Sequence, residues 1–571
     1  MLSVLTNPKS RPNLSTVGSF FLVVFLFSPA CAQERADLYR EISDRFDRLA
    51  DIEANVPTPD PTPDPDPPPD PTPDPDPTPS PDPNPPSGGA RDVWINMTGC
   101  HSWDDMTIYR NAFKENYWVT EYRGSEYVLE IPLDGSGWPA VEIPHNGKEM
   151  FGTVEINADL PIVDNRPFTL IQRGRSKIKI AGVGTFSNQS GVKKSIVQFP
   201  RDTQKSNIFI ESAEVGARWE LIYPGEENST SRFHSSTLNS LKRFGGIRFM
   251  DWQKTNGSIQ KTWADSNQPG TMTESTPTGS SWDSAIALAN ETGTDMWICI
   301  PHGVDTDYTK TLAKLVESQF RGSRIVIEYS NECWNYSPAF RDQLTFCQDH
   351  GKRLNPSETN SIKQQASGYG DLAGQHFAAF RAAYGGSADV DYVLCWQSTA
   401  NWSPLVAFDA CPNETAIGHA PYVFVGGSEW KTQSIDQVFE RLNGEGLERC
   451  RENITKWNQW AKDRGLKSMI YECGHHVYNS SHTYQITHDP RMTDLIVAFD
   501  RLVAGGDVRC YFNFGGLPRR NSDFGHQSFS GDYQDPKWKA LEIITAPSIP
   551  PTAFRKHFRN RIAESPFASS L

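Results

Sequence analysis

The sequence predicts an α/β protein in which a (β/α)₈ TIM barrel is preceded by an all-β, sandwich-like domain. Two patterns support this prediction. Up to about Glu214, short apolar runs are separated by Gly, Pro and Asn, which is typical of β-sheets. Beyond Glu214, short apolar runs alternate with longer amphipathic stretches, which is typical of repeated strand–helix units. A chain of 571 residues is also too long for one hydrophobic core, so we expect two or more domains.

Residues 1–32 predict an export signal. Basic residues precede an apolar run over residues 20–27, and Ala30-Cys31-Ala32 matches the pattern of a cleavage site. The apolar run is too short to span a bilayer well. The alternative is lipidation of Cys31, which would anchor the chain to a membrane, although Ser28 stands where a lipoprotein signal usually has Leu. In either case we expect a secreted or cell-surface protein.

The next two segments predict a spacer. Residues 33–56 predict a short charged helix, because apolar residues recur every three or four positions from Leu38 to Leu49. Residues 57–89 are rich in alternating Pro and Asp, which excludes helix and sheet. We expect an extended polyproline II linker that reaches about 90 Å.

Residues 90–214 predict the β domain. Its apolar runs are four to six residues long and lie between turn-forming residues. Two roles remain open for it: binding carbohydrate, or packing against the barrel. The clearest strands are Tyr127–Ile131, Thr153–Ile156, Lys177–Ala181 and Asn207–Glu211.

Residues 215–546 predict the barrel, and residues 547–571 form a tail. Eight strands over this length suit the architecture, and in such barrels the polar residues at the carboxyl ends of the strands form the active site. The predicted strands are Trp219–Tyr223, Ile247–Trp252, Asp295–Pro301, Ile325–Ser330, Asp391–Trp396, Ala416–Val423, Ser468–Glu472 and Val508–Phe514.

Composition excludes several classes of function. The chain has 55 Lys and Arg against 69 Asp and Glu, a net charge of −14, which disfavours nucleic acid as a partner. The G-x-S-x-G motif of serine esterases is missing from the sequence. The ten Cys show no zinc-site spacing, so we expect neither a metal nor a cofactor, and any disulfide pairing stays open.

Two carboxylates carry the strongest chemical signal. An apolar strand over residues 325–330 ends in Asn331-Glu332, and a second over residues 468–471 ends in Glu472. By order along the chain, these are the fourth and seventh barrel strands. Two carboxyl groups, one protonated and one ionised, are what cleavage of a glycosidic bond with retention requires.

With these motifs the sequence resembles the clan A glycoside hydrolases, which include the family 5 cellulases and mannanases. The resemblance covers roughly residues 215–546. It implies that Glu332 is the acid/base, that Glu472 is the nucleophile, and that Asn331 binds the sugar 2-hydroxyl. The phrase Glu-Tyr-Ser-Asn-Glu-x-Trp-Asn is similar to one in secreted bacterial proteins of this type.

The same resemblance implies further substrate-binding residues. It places Arg248 beside the nucleophile, although a salt bridge to Glu328 or Asp251 is an alternative. His302 is similar to a histidine that contacts the sugar, while Tyr422 and His419 are expected near Glu472.

Aromatic residues near strand ends are expected to stack on sugar rings, since ligand sites are commonly lined by aromatic side chains. Each has the alternative of belonging to the core. Adjacent His475 and His476 do not predict a metal site, because neighbouring side chains on a strand face opposite sides. The expected platforms are Trp252, Trp334, Trp396 and Trp402.

The sequence thus favours a retaining glycosidase that acts on a polysaccharide or oligosaccharide. The alternative is a non-catalytic carbohydrate-binding protein on a degenerate barrel. The presence of both glutamates, with Asn331 and Arg248, favours the enzyme.

Overall fold

A computed structural model of the protein describes residues 91–546, apart from six short gaps. The predicted signal sequence, charged helix, linker and tail lie outside the described residues. The gaps are residues 101–105, 124–125, 157–159, 427–428, 478–481 and 517–522.

Eight parallel strands form a closed barrel, which confirms the predicted fold class. The strands follow one another in chain order around the barrel, and the eighth pairs with the first. Alternate strand residues pack inside the barrel or against the surrounding helices, as the two-residue period of a strand requires. From first to eighth, the strands are Val93–Asn96, Gly246–Arg248, Asp295–Ile300, Arg324–Tyr329, Asp389–Trp396, Ala416–His419, Lys467–Cys473 and Val508–Tyr511.

The first barrel strand is Val93–Asn96, and the assignment of Trp219–Tyr223 to the barrel is wrong. The segment Arg218–Ile222 pairs antiparallel with Phe168–Arg173 in a separate sheet. Its polar and apolar residues alternate, which suits a sheet with one covered face rather than a barrel strand buried on both sides. The barrel therefore begins before the β region, which is inserted between the first and second barrel strands.

The inserted β region consists of two sheets and a hairpin. Residues from both sheets share one apolar cluster, which includes Met150, Ile208, Phe168 and Leu221. The strand order of the four-stranded sheet is Met150–Glu155, Lys205–Ala213, Ser176–Ile180 and Gly184–Asn188. The strand order of the three-stranded sheet is Arg218–Ile222, Phe168–Arg173 and Val192–Val197. The hairpin consists of Glu121–Arg123 and Glu126–Val128.

The β region packs on the long connection that follows the second barrel strand. Met272 of this connection belongs to the apolar core of the β region. Hydrogen bonds join the two, from Trp138 Nε1 to the Gly270 carbonyl (2.8 Å) and from Thr273 Oγ1 to the Asn116 carbonyl (2.6 Å). Both segments leave the barrel at the carboxyl ends of its strands, so the β region lies at the end of the barrel where the predicted site residues are.

Helices cover the outside of the barrel. One of them, Trp282–Thr292, begins where Ser281 accepts a hydrogen bond from the Ser284 amide and ends at Gly293, whose φ is 68°. The other α-helices are Ser235–Leu241, Thr306–Gln319, Arg341–Leu354, Ser361–Ala383, Ser403–Asp409, Ile435–Arg441, Leu447–Arg464, Thr483–Thr487, Arg491–Val503 and Pro536–Ile544.

The described part of the chain contains nine cysteines. Its cysteines, from Cys100 to Cys510, are buried and free. Among the described helices, none has the length and apolar character needed to cross a membrane.

Candidate active site

Arg248 lies at the centre of a buried polar network at the carboxyl ends of the strands. Its side chain is fully buried. Its Nη1 donates to Glu472 Oε1 (2.8 Å) and to Asn96 Oδ1 (3.2 Å). Its Nε and Nη2 donate to the two carboxylate oxygens of Glu328 (3.0 and 3.2 Å), and Nη2 also donates to Asn331 Oδ1 (2.9 Å). The five N–H groups of the guanidinium all have partners, so its position is fixed.

Arg248 therefore pairs with two carboxylates. It lies beside Glu472, as the resemblance implies, and it also forms the alternative salt bridge to Glu328. Glu328 is fully buried and also accepts from Trp297 Nε1 (2.8 Å). Asp251 does not take this role, since it accepts instead from Asn96 Nδ2 (3.1 Å).

Glu472 is the last residue but one of the seventh strand, and each of its carboxylate oxygens has a donor. Oε1 accepts from Arg248, and Oε2 accepts from the hydroxyl of Tyr422 (3.0 Å). Burial raises the pKa of Glu472, and the charge and hydrogen bond of Arg248 oppose that rise. The ion pair thus favours the carboxylate form of Glu472.

Glu332 follows the fourth strand and lies in a different electrostatic setting. Asn335 Nδ2 donates to its Oε2 (2.7 Å), and the Tyr471 hydroxyl donates to its Oε1 (3.1 Å). Burial, followed by the negative charge of Glu472, raises the pKa of Glu332 to about 8. At neutral pH Glu332 therefore holds a proton, next to a second carboxyl group whose ionised form the Arg248 ion pair favours.

The backbone around Glu332 departs from regular strand geometry. Ser330 has a φ of 58° and Glu332 a φ of 45°, both in the left-handed region that residues other than glycine seldom adopt. Between them, Asn331 donates from Nδ2 to Asn256 Oδ1 (3.1 Å) and accepts from Arg248. Both ends of the Asn331 amide are thereby held beside the carboxyl groups.

The two predicted histidines have different surroundings. His302 is buried just after the third strand beside Phe346, and burial lowers its pKa to about 4. Its Nδ1 has no hydrogen-bond partner among the described residues. His419 instead bonds to Ser398 Oγ (2.7 Å) and stacks on Trp457 of a surrounding helix, with ring centroids 5.0 Å apart. Ile417 of the same strand also packs in the helix layer, so alternation turns His419 away from Glu472.

Two of the predicted tryptophan platforms are core residues. Trp252 and Trp396 are 0% and 2% exposed and pack in the layer between barrel and helices, where a sugar ring has no access. Trp334, which follows Glu332 by two residues, is half-buried, and Trp402 is 44% exposed. Trp334 packs partly against the core, so of these four tryptophans only Trp334 and Trp402 keep exposed surface.

His475 and His476 lie beyond Glu472 and contact aromatic rings. The ring of His475 stacks on Phe524 at 6.2 Å, and that of His476 lies 5.4 Å from Tyr422. In the part of the chain that the structure describes, no group of three His, Cys, Asp or Glu side chains is arranged to hold a metal ion.

Asn96 and Tyr471 belong to the network, although neither is among the residues that the sequence predicts for the site. Asn96 ends the first barrel strand, which the sequence does not predict. Tyr471 directly precedes Glu472, and on a regular strand it would face away from it. Tyr329, the last residue of the fourth strand, donates to the His302 carbonyl (2.6 Å).

Comparisons with known proteins give only distant similarity. No protein-family model matches the chain, and no curated protein matches it. The solved structures that it resembles are glycoside hydrolases. An α-L-arabinofuranosidase from Thermotoga maritima, solved with arabinose, is 14% identical with a TM-score of 0.36, over 55% of this chain and 64% of the other. The chain thus spans slightly less than two thirds of that enzyme.

Two further similar structures are GH5 enzymes. A Bacteroidetes-affiliated GH5 cellulase linked with a polysaccharide utilization locus is 13% identical with a TM-score of 0.32, over 58% of this chain and 91% of the other. A GH5 xyloglucan-specific endo-β-1,4-glucanase from a metagenomic library is 14% identical with a TM-score of 0.31, over 55% and 89%. At these values the similarity carries no argument about function, which has to come from the site itself.

Proposed function

We propose that the protein is a retaining glycoside hydrolase that cleaves O-glycosidic bonds of a polysaccharide or oligosaccharide by double displacement. The observation that carries the proposal is the contrast between the surroundings of two neighbouring carboxyl groups, one bonded to Asn335 and Tyr471 and the other paired with Arg248. Glu332 has a pKa near 8, while Glu472 is ion-paired with Arg248 at 2.8 Å. A retaining glycosidase requires this pairing of a carboxylic acid with a carboxylate.

In the first step, a carboxylate oxygen of Glu472 attacks the anomeric carbon while the bond to the leaving oxygen breaks. Glu332 gives its proton to that oxygen, so the departing alcohol leaves neutral. The Tyr422 hydroxyl and Arg248 hold Glu472 by both oxygens, which limits its rotation before the attack.

In the second step, a water molecule attacks the glycosyl-enzyme ester and Glu332 accepts its proton. Part of the high pKa of Glu332 comes from the negative charge of Glu472. That charge is absent while Glu472 is esterified, so the pKa of Glu332 falls and the same carboxyl becomes a base. The arrangement therefore supports both halves of the reaction with one residue.

The N-terminal segment supports a proposal about location. Its apolar run and small-residue motif favour export, with or without a lipid on Cys31. A secreted or surface-held enzyme would meet polymeric substrates outside the cell.

Azide rescue of two alanine variants tests the two roles. Glu472→Ala should lose turnover and regain it with azide, giving the glycosyl azide of inverted configuration, because the anion attacks from the vacated face. Glu332→Ala should give the azide product of retained configuration and should spare aryl glycosides with a good leaving group, which need no proton. Product configuration is read by NMR, with a panel of aryl glycosides as substrates.

Glu440→Ala is the matched control, because Glu440 is exposed on the helix Ile435–Arg441. It should behave as wild type with and without azide. If Glu332→Ala loses activity equally on good and poor leaving groups, and azide restores neither variant, the proposed roles are wrong.

A further inference from the structure

The seventh barrel strand contains an irregularity where it meets the active site. Its pairing with the eighth strand shifts register between Ile470 and Cys473, which is a β-bulge. Tyr471 and Glu472 lie within it, and on a regular strand they would face opposite sides. Both nevertheless contact Arg248, Glu472 through the ion pair and Tyr471 through its ring, whose centroid is 5.3 Å from the guanidinium carbon. The bulge therefore turns two consecutive side chains to the same side.

Tyr471 connects the seventh strand to Glu332, which follows the fourth strand. Its ring is fully buried in the apolar cluster inside the barrel, beneath Arg248. Its hydroxyl donates to Glu332 Oε1 (3.1 Å), while Asn335 donates to the other oxygen (2.7 Å). Burial raises the pKa of Tyr471 well above its ordinary value, so the phenol keeps its proton and remains a donor.

We propose that Tyr471 is a positioning residue of the reaction, whose hydroxyl holds the carboxyl of Glu332 where it donates and later accepts the proton. This inference rests on the proposed function. A rigid ring fixed by the barrel core and Arg248 gives the hydroxyl a defined place, which a flexible side chain would not provide.

The hydrogen bond also has a defined effect on protonation. A donor favours the charged form of a carboxyl, so Tyr471 and Asn335 oppose the rise in the pKa of Glu332. Without the hydroxyl, that pKa should move further upward. The titratable and charged groups around Glu332 are Glu472 and Tyr471 from the seventh strand, Arg248 from the second, and Tyr422 from the segment after the sixth.

Tyr471→Phe tests the proposal, because it keeps the ring and removes only the hydroxyl. The basic limb of the pH profile of kcat/KM should move upward by roughly one pH unit, since a hydrogen bond to a charged group is worth about that much. Tyr422→Phe is the matched control, since its hydroxyl bonds to Glu472. It should move the acidic limb upward and leave the basic limb in place. The substrate is any aryl glycoside that the wild type hydrolyses.

A second measurement separates this inference from the proposed function. The carboxyl of Glu332 is titrated by NMR in protein labelled with ¹³C at the glutamate carboxyls, with Glu332→Gln for assignment, and turnover is not needed. The pKa of Glu332 should rise in Tyr471→Phe. An unchanged or lowered pKa overturns the role of Tyr471 even if both glutamates prove essential for activity. If the pKa rises but the glutamates are dispensable, the proposed function fails instead.

Tyr471→Leu removes both the ring and the hydroxyl. It shows whether Tyr471 acts on Glu332 or only stabilises the barrel core. It should lower the melting temperature as well as raise the pKa of Glu332. If Tyr471→Leu is destabilised while Tyr471→Phe leaves the titration of Glu332 unchanged, Tyr471 is a core residue and the positioning role is refuted.

Discussion

Replacing Arg248 by Met should strongly destabilise the fold as well as stop catalysis. The substitution keeps a side chain of similar length but removes a fully buried cation that pairs with Glu328 and Glu472. Two carboxylates then share an interior with no positive partner among the residues of the described network. Breaking a buried ion pair from one side costs about 3–5 kcal/mol, because the remaining charge stays desolvated.

The loss of stability in Arg248→Met should be smaller at low pH than at neutral pH. Arg248 opposes the rise in the pKa of Glu472, so without it that pKa lies further above the value of about 4.3 in the unfolded chain. At a pH between the pKa of Glu472 in the unfolded chain and its higher pKa in the native variant, the native state binds more protons than the unfolded state. The free energy of unfolding therefore falls as the pH rises through this range. The variant should therefore regain stability relative to wild type as the pH falls towards about 4.

Urea unfolding from pH 4 to pH 8 measures both effects. The double variant Arg248→Met with Glu328→Leu should be more stable than Arg248→Met alone, because it removes a charge together with its partner. Arg451→Met is the surface control, since Arg451 forms an exposed pair with Glu448 that is worth about 1 kcal/mol or less. A loss below about 1 kcal/mol for Arg248→Met at pH 7, or no gain in the double variant, would contradict a buried network at this position.

Two further predictions follow from the site and the fold. The kcat/KM of the wild type should fall above about pH 8, because Glu332 then loses its proton. Glu472→Gln should lower the pKa of Glu332 in the NMR titration, because the negative charge of Glu472 that raises this pKa is removed. Deleting residues 33–88 should leave the melting temperature unchanged if residues 57–89 form the extended linker that their sequence predicts. A deletion that continues through Asn96 should instead unfold the protein by removing the first barrel strand, and circular dichroism measures both outcomes.

Seven of the eight barrel strands were predictable because strands buried on both faces read as continuous apolar runs. Val93–Asn96 was missed because four residues next to a Pro-rich linker carry too little pattern to be recognised. Trp219–Tyr223 resembles a barrel strand in sequence because it is a short, largely apolar run that lies where the strand–helix repeats begin. Its antiparallel pairing with Phe168–Arg173 depends on contacts distant in sequence, which no local pattern contains.

The site was predictable where a polar residue lies at the carboxyl end of a buried apolar run. Glu472 and Asn331 lie at two such ends, and both contact Arg248. Ending a strand was not sufficient for His419 and Trp396. Both lie at strand ends, but alternation places them against the helices.

The remaining features of the site break local rules, and they do so for a common geometric reason. Near Glu332, residues at φ values of 58° and 45° flank Asn331, so that Asn331 reaches Arg248 while its neighbour reaches Tyr471. On the facing strand, a bulge brings Tyr471 and Glu472 to the same side. A regular strand presents only every second residue to the barrel mouth, whereas each carboxyl here needs an adjacent residue directed to the same place. The strained backbone and the bulge are thus two solutions to one requirement, and each occurs at the strand end that bears a carboxyl group.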